Sequence, residues 1–170
     1  MASYRLAEIA VNLIEAQIKS KISTALSDVR TQRADPIVTT EIPQEYFIYE
    51  EAEALRTPSV FTIIQSQDFR NEVKGANHIN ASNTVLVAVV IEDRVKRLAT
   101  IKAWRYQSAL VQCLHLVSLT STDSAVRLFV RVRECNFSGI LPMNDVSTND
   151  TVFRKEVSLM LDVDHIENLE

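Results

Sequence analysis

Cys113 and His115 are the thiol and imidazole that fall closest together in the chain, the pairing a cysteine nucleophile and its general base would need. They stand two apart in a stretch with helical periodicity. Residues at that spacing do not face each other, so Cys113 reads as a core residue rather than a nucleophile. Asp162 and Asp164 share one face of a strand-like run and offer hard oxygen ligands, but the adjacent His165 points to the opposite face. His78 lies in a polar stretch beside Asn77 and Asn80, with no second histidine or carboxylate at ligand spacing, and reads as a surface residue. The run Glu50, Glu51 and Glu53 has nothing near it in sequence that would raise a carboxylate pKa, and reads as a solvated acidic cluster. No catalytic, cofactor-binding or metal-binding constellation is expected, and the chain is not expected to be an enzyme.

Composition narrows the classes further. The chain has 170 residues, a formal charge of −4, 46% hydrophobic and 24% charged residues, and only two glycines, Gly75 and Gly139. Average usage would supply roughly twelve glycines. Sites built from closely spaced glycines are therefore excluded: the phosphate loop, the dinucleotide fingerprint and the glycine-flanked serine elbow. The acidic balance argues against a dedicated nucleic-acid binder. Cys113 and Cys135 lie far apart without C-x-x-C spacing, which supports neither a zinc site nor a disulfide framework. No apolar run reaches the roughly 18 residues of a membrane span and no signal peptide opens the sequence, so synthesis in a cytoplasm with no membrane partner is expected.

The elements that position these residues follow from periodicity. Leu6, Ile9, Ala10, Leu13, Ile14, Ile18, Ile22, Ala25, Leu26 and Val29 recur at three- and four-residue spacing, which predicts an amphipathic helix over Arg5 to Val29. Residues 31–57 carry Pro36, Pro43, the Tyr46, Phe47 and Tyr49 aromatics and the acidic cluster, and read as an extended arm. Its aromatics fit two uses equally: packing on their own domain, or docking on a neighbour. Pro58 opens a strand to Ser66, and residues 68–82 form either a short ribbon or a mobile connection. Thr84 to Ile91 is apolar on both alternating faces, the pattern of a central strand. Glu92 and Asp93 then place negative charge at the start of a second helix running to about Val117, with Val95, Leu98, Ala99, Ala103, Tyr106, Leu110, Cys113, Leu114 and Val117 on its buried stripe. Trp104 falls one position off that stripe and fits either core or interface.

The closing hairpin has the clearest pattern. Val126, Leu128, Val130 and Val132 alternate with Arg127, Phe129, Arg131 and Arg133, and Val157, Leu159, Leu161 and Val163 alternate with Glu156, Ser158, Met160 and Asp162. Charge pairing predicts Val130 opposite Leu159, with Arg127 against Asp162 and Arg133 against Glu156, across a long loop over residues 136–150. The arginine-rich face reads as a solvated or subunit-contacting surface rather than a phosphate site, because acidic partners stand on the adjacent strand.

The whole reads as a single α+β domain over residues 1–170: a mostly antiparallel sheet carrying two main helices, an extended arm and a long-looped C-terminal hairpin. This order of elements, carried by the Arg5–Val29 helix, the Pro58–Ser66 and Thr84–Ile91 strands, the Arg94–Tyr106–Leu110 helix and the Val126–Val132 and Val157–Val163 strands, resembles tail-terminator and neck, or tail-completion, proteins of long-tailed bacteriophages. The resemblance implies a homo-oligomeric ring, a hexamer in that family, located in the virion neck. Such a ring ends the tail tube and meets the tail tube protein on one side and a head-connector or stopper protein on the other. DNA passes through its lumen without specific binding. The resemblance has no short motif, so no site residues are carried over from it. From the residues themselves, Tyr46, Phe47, Tyr49, Arg127, Arg131, Arg133, Glu156 and Asp162 are the expected subunit or partner interface. Two other readings stand beside it: a different neck or tail subunit, such as a stopper or tube protein, and a small non-viral α+β ligand-binding domain or enzyme.

Overall fold

The computed structural model describes residues 6–33, 40–48, 57–70, 78–121, 126–144 and 150–168. Tyr49 and the Glu50–Glu53 cluster fall outside them. Within them the order is α1 (Leu6–Arg33), β1 (Glu45–Phe47), β2 (Ser59–Arg70), β3 (His78–Asp93), α2 (Lys96–Leu114), β4 (Val117–Thr120), β5 (Val126–Phe137), β6 (Leu141–Asn144) and β7 (Thr151–Asn168). The described strands form one sheet of seven, ordered β1-β2-β3-β7-β5-β4, with β6 also paired to β7. Every pairing is antiparallel except β1 with β2. The α+β class with a mostly antiparallel sheet is the one expected from sequence.

Both helices lie on one face of the sheet. α2 crosses β3, β7 and β5, while α1 packs on α2 and reaches from β2 to β4. The stripe of α1 is buried as its periodicity requires: Leu6, Ala10, Ile14, Ile18 and Ile22 have no exposed surface. Beneath it lie Val85, Val87 and Val89 of β3, Val157, Leu159, Leu161 and Val163 of β7, and Val126, Leu128 and Val130 of β5. Each such side chain contributes about 1.5–3 kcal/mol by leaving water. On the other face, next to the β1 edge, Phe61, Ala88 and Val90 make a smaller cluster with Phe47 and Ile63 against it.

The arm is shorter than expected and folds back on its own chain. α1 runs on to Arg33, and within the arm Glu45, Tyr46 and Phe47 pair with Ser59, Val60 and Phe61. The Tyr106 hydroxyl donates to the Glu41 carbonyl and the Gln44 amide donates to the Pro58 carbonyl at 2.9 Å, pinning the chain that leads into β1. Tyr106 is buried, which raises its phenol pKa well above the usual range and keeps it a donor. In the 68–82 stretch the ribbon is present: Gln67 to Arg70 pair with Asn83 to Asn80, so the β2–β3 ladder outlasts its apolar part.

Glu92 and Asp93 are not in the first turn of α2. They end β3, opposite Arg154 and Phe153 of β7; Glu92 is held by its cross-strand partner Arg154, and Asp93 by groups at and within α2. Arg154 Nε donates to Glu92 Oε1 at 2.7 Å, and Thr57 Oγ1 donates to Glu92 Oε2 at 3.3 Å. Asp93 accepts the Val95 amide at 2.8 Å and pairs with Lys102 at 2.7 Å. At its other end α2 stops at Leu114 rather than Val117. Leu116 adopts a positive φ of 58°, a conformation usually given to glycine at helix ends, and Val117 leads straight into β4.

The hairpin register is four residues away from the one charge pairing favoured. Val130 faces Val163, Arg131 faces Asp162, and Arg127 faces Ile166; Arg133 does not meet Glu156. Two features outweigh the charge pairs. A bulge between Val132 and Glu134 flips the alternation, turning Cys135 and Phe137 onto the helix-covered face opposite Leu159 and Val157. The ladder then continues: the Ser138 amide donates to the Glu156 carbonyl at 3.0 Å, and Leu141 to Asn144 pair with Arg154 to Thr151. Residues 136–144 are thus largely strand, not open loop. Backbone pairs gained along β6 and the end of β7 exceed the few tenths of a kcal/mol at stake in an exposed charge pair.

Candidate functional site

Among the described elements, no helix covers the second face of the sheet. Alternation decides what it displays. From β5 come Arg127, Phe129 and Arg131; from β7 come Met160, Asp162 and Asp164; β3 adds Thr84 and Leu86, and β4 adds Ser118 and Thr120. Phe129 is 45% exposed, with Ser118 on one side and Asp164 on the other. On β6, Leu141 and Met143 stand on the same face at 59% and 37% exposure. A large aromatic ring left in water between charges of both signs is what a buried contact centre with a polar rim looks like before the contact forms.

The bulge organises the charges on this face. Arg131 Nη2 lies 3.0 Å from Asp162 Oδ2 and Arg133 Nη1 lies 3.3 Å from Asp162 Oδ1, so one carboxylate holds two guanidiniums. The expected interface residues thus fall into groups. Arg131, Arg133 and Asp162 come together, and Arg127 projects nearby from the same strand with no charged partner among the described residues. Glu156 lies further along β7, beside Val90, and its backbone amide donates to Ser138 Oγ at 2.8 Å. Tyr46 and Phe47 are separate from this group and pack on their own chain: the Lys19 ammonium sits 4.9 Å over the Tyr46 ring, and Phe47 stacks on Phe61 at 5.1 Å.

The groups considered for chemistry are dispersed. Cys113 is buried between the helices, and burial pushes its thiol up to about 11, far from the thiolate a nucleophile requires. His115 is exposed beyond the end of α2. Asp162 and Asp164 face away from His165, which is 1% exposed on the helix-covered face. Burial lowers the His165 pKa, with Asp164 pulling weakly the other way. Among the described residues no group of three or more His, Cys, Asp or Glu side chains is close enough to hold a metal ion, and no helix is long and apolar enough to cross a membrane.

Sequence reasoning missed the buried Arg105, which sits on α2 at 1% exposure. It also missed the bulge, although a signal was present: Arg133 and Glu134 are consecutive polar residues, after which Cys135 and Phe137 carry the apolar pattern on the opposite parity. No family model matches the sequence, and no curated protein matches it. Among solved structures, a chain from the virion of a native gene transfer agent particle aligns over 86% of this chain and 97% of its own, at 11% identity and a TM-score of 0.35. A second solved chain aligns over 87% and 94%, at 17% identity and a TM-score of 0.37.

Proposed function

We propose that this chain is a structural, non-catalytic subunit of a tailed-phage virion that assembles with copies of itself into a ring, and that the ring terminates the tail tube and joins it to the head connector. The observation that carries the reading is the uncovered sheet face, where Phe129 stands half-exposed among Arg127, Arg131, Asp162 and Asp164. The element order that resembles tail-terminator and neck proteins supports it. So does the chain's net charge of −4, because a lumen that lets DNA slide must not neutralise many phosphates.

Size-exclusion chromatography with light scattering, followed by negative-stain imaging, tests the reading. Rings are expected, alone or on tail tubes. Phe129→Glu should shift the chain toward monomer while leaving its circular dichroism unchanged, since the side chain faces solvent in the isolated subunit. A folded wild-type chain that stays monomeric at high concentration and in the presence of tail tubes overturns the proposal.

A further inference from the structure

The outer side of α2 carries a groove that the sheet-face contact does not use. Lys96, Arg97, Thr100, Ile101 and Trp104 line one wall and Ile140, from the connection between β5 and β6, lines the other, enclosing about 580 Å³. Trp104, the only tryptophan in the chain, is 47% exposed there. Lys96 and Arg97 at the groove are solvent-exposed and have no acidic partner among the described residues, while Arg94 is held by Asp150 at 3.4 Å. The groove therefore offers an apolar floor with an aromatic wall and an unneutralised cationic rim. Its complement is a short acidic segment bearing aromatic or aliphatic anchors.

The stretch Tyr49-Glu50-Glu51-Ala52-Glu53-Ala54-Leu55 is such a segment, with three carboxylates between a tyrosine and a leucine. Two residues beyond it, Thr57 is fixed beside Glu92, Lys102 and Tyr106, on the flank of α2 away from Ile140. We infer that the groove of one subunit receives the acidic 49–55 segment of a second copy. The contact joins two different patches, groove to segment, and so is heterologous, the type of contact that propagates around a ring. This inference rests on the ring reading and assigns it a second contact, distinct from the sheet face.

Charge inversion in the full-length chain tests it. One variant carries Glu50→Lys, Glu51→Lys and Glu53→Lys; the other carries Lys96→Glu and Arg97→Glu. Each alone presents like charges to itself at this contact and is expected to be monomeric by light scattering, with wild-type circular dichroism. Mixed in equal amounts, the basic segment of the first meets the acidic groove of the second and the reverse, so assemblies should return. Acrylamide quenching of Trp104 should fall several-fold on wild-type assembly and on mixing, and should stay high in either variant alone. If the wild type assembles and both variants assemble equally well by themselves, the groove contact is refuted while the ring stands. Assembly of the wild type with no rescue on mixing two folded variants also refutes it. If the wild type and the mixture form closed dimers instead, with the variants monomeric, the groove contact holds and the ring is lost. Protection of Trp104 only when a different protein is added refutes the choice of a second copy.

Discussion

The register of the β5–β7 pair is testable by energetic coupling, because the register that charge pairing favours and the one observed assign Asp162 to different arginines. In the structure Arg131 lies 3.0 Å from Asp162 and Arg133 lies 3.3 Å from it, with side-chain exposures of 55%, 47% and 20% for Arg131, Arg133 and Asp162. At 3.0 Å in a water-like dielectric the Coulomb attraction is about 1.4 kcal/mol, and side-chain entropy and screening reduce the net value to about 0.2–1 kcal/mol. A double-mutant cycle of Arg131→Ala and Asp162→Ala, measured by urea unfolding, should therefore show a coupling of about 0.5 kcal/mol. Because Arg133 shares the carboxylate, a cycle removing both arginines together should give more than the Arg131 cycle, and both couplings should shrink in 1 M salt. Arg127 faces Ile166, four residues from Asp162 along β7. That is about 13 Å at 3.3 Å per residue, beyond a Debye length at physiological salt, so its cycle with Asp162 should give about zero. Coupling of Asp162 to Arg127 and not to Arg131 would refute the bulged register and with it the arrangement of the candidate face.

Three further outcomes follow from burial and hydrogen bonding. Ile18 is fully buried on α1, and Ile18→Ala should cost about 2–5 kcal/mol by urea unfolding with no change in m-value. Glu92 accepts from Arg154 and Thr57 and so joins β3, β7 and the entry to β2; Glu92→Gln should cost about 1–2 kcal/mol, well above an exposed charge substitution such as Arg127→Gln. His165 has its pKa lowered by burial, so below its ordinary value of about 6.5 the unfolded chain binds a proton that the folded chain resists. This stability is present above that pH and is lost as pH falls; thermal melts from pH 7.5 to 5.0 should show a smaller drop for His165→Leu than for the wild type.

Much of the fold is legible where a single face of an element is buried by its neighbours. The stripe of α1, the doubly apolar pattern of β3 and the inward valines and leucines of β5 and β7 are hydrophobic burial written at periods of 3.6 and 2, and the structure buries them accordingly. What escapes is set by backbone pairing or by partners distant in sequence. The end of α2 carries no glycine, since Leu116 takes the positive φ itself, so nothing in the residue types marks the stop. Glu92 and Asp93 look like helix-start carboxylates because their partners, Arg154 and Lys102, are unknown until β7 and α2 are docked. The β5–β7 register is hidden because exposed charge pairs worth a few tenths of a kcal/mol are outweighed by the ladder that β6 extends. At the candidate face, Arg131 and Asp162 are both among the expected interface residues, but their shared contact with Arg133 depends on a bulge.

The placement of β7 has a consequence for how the molecule is made. β3 and β5 both lie beside β7 and are held apart by it, although both precede it in synthesis. Until β7 is available, β2–β3 and β4–β5 are two separate ribbons, each ending in an unsatisfied inner edge prone to pair with whatever strand it meets. The sheet closes only when the last described strand slides between them, a step dominated by contacts distant in sequence and therefore slow. A nascent or truncated chain thus has no completed β5–β7 face to offer a neighbour. The proposed assembly surface comes into being in the same event that finishes the fold, so folding itself sets the earliest moment at which subunits can join through it.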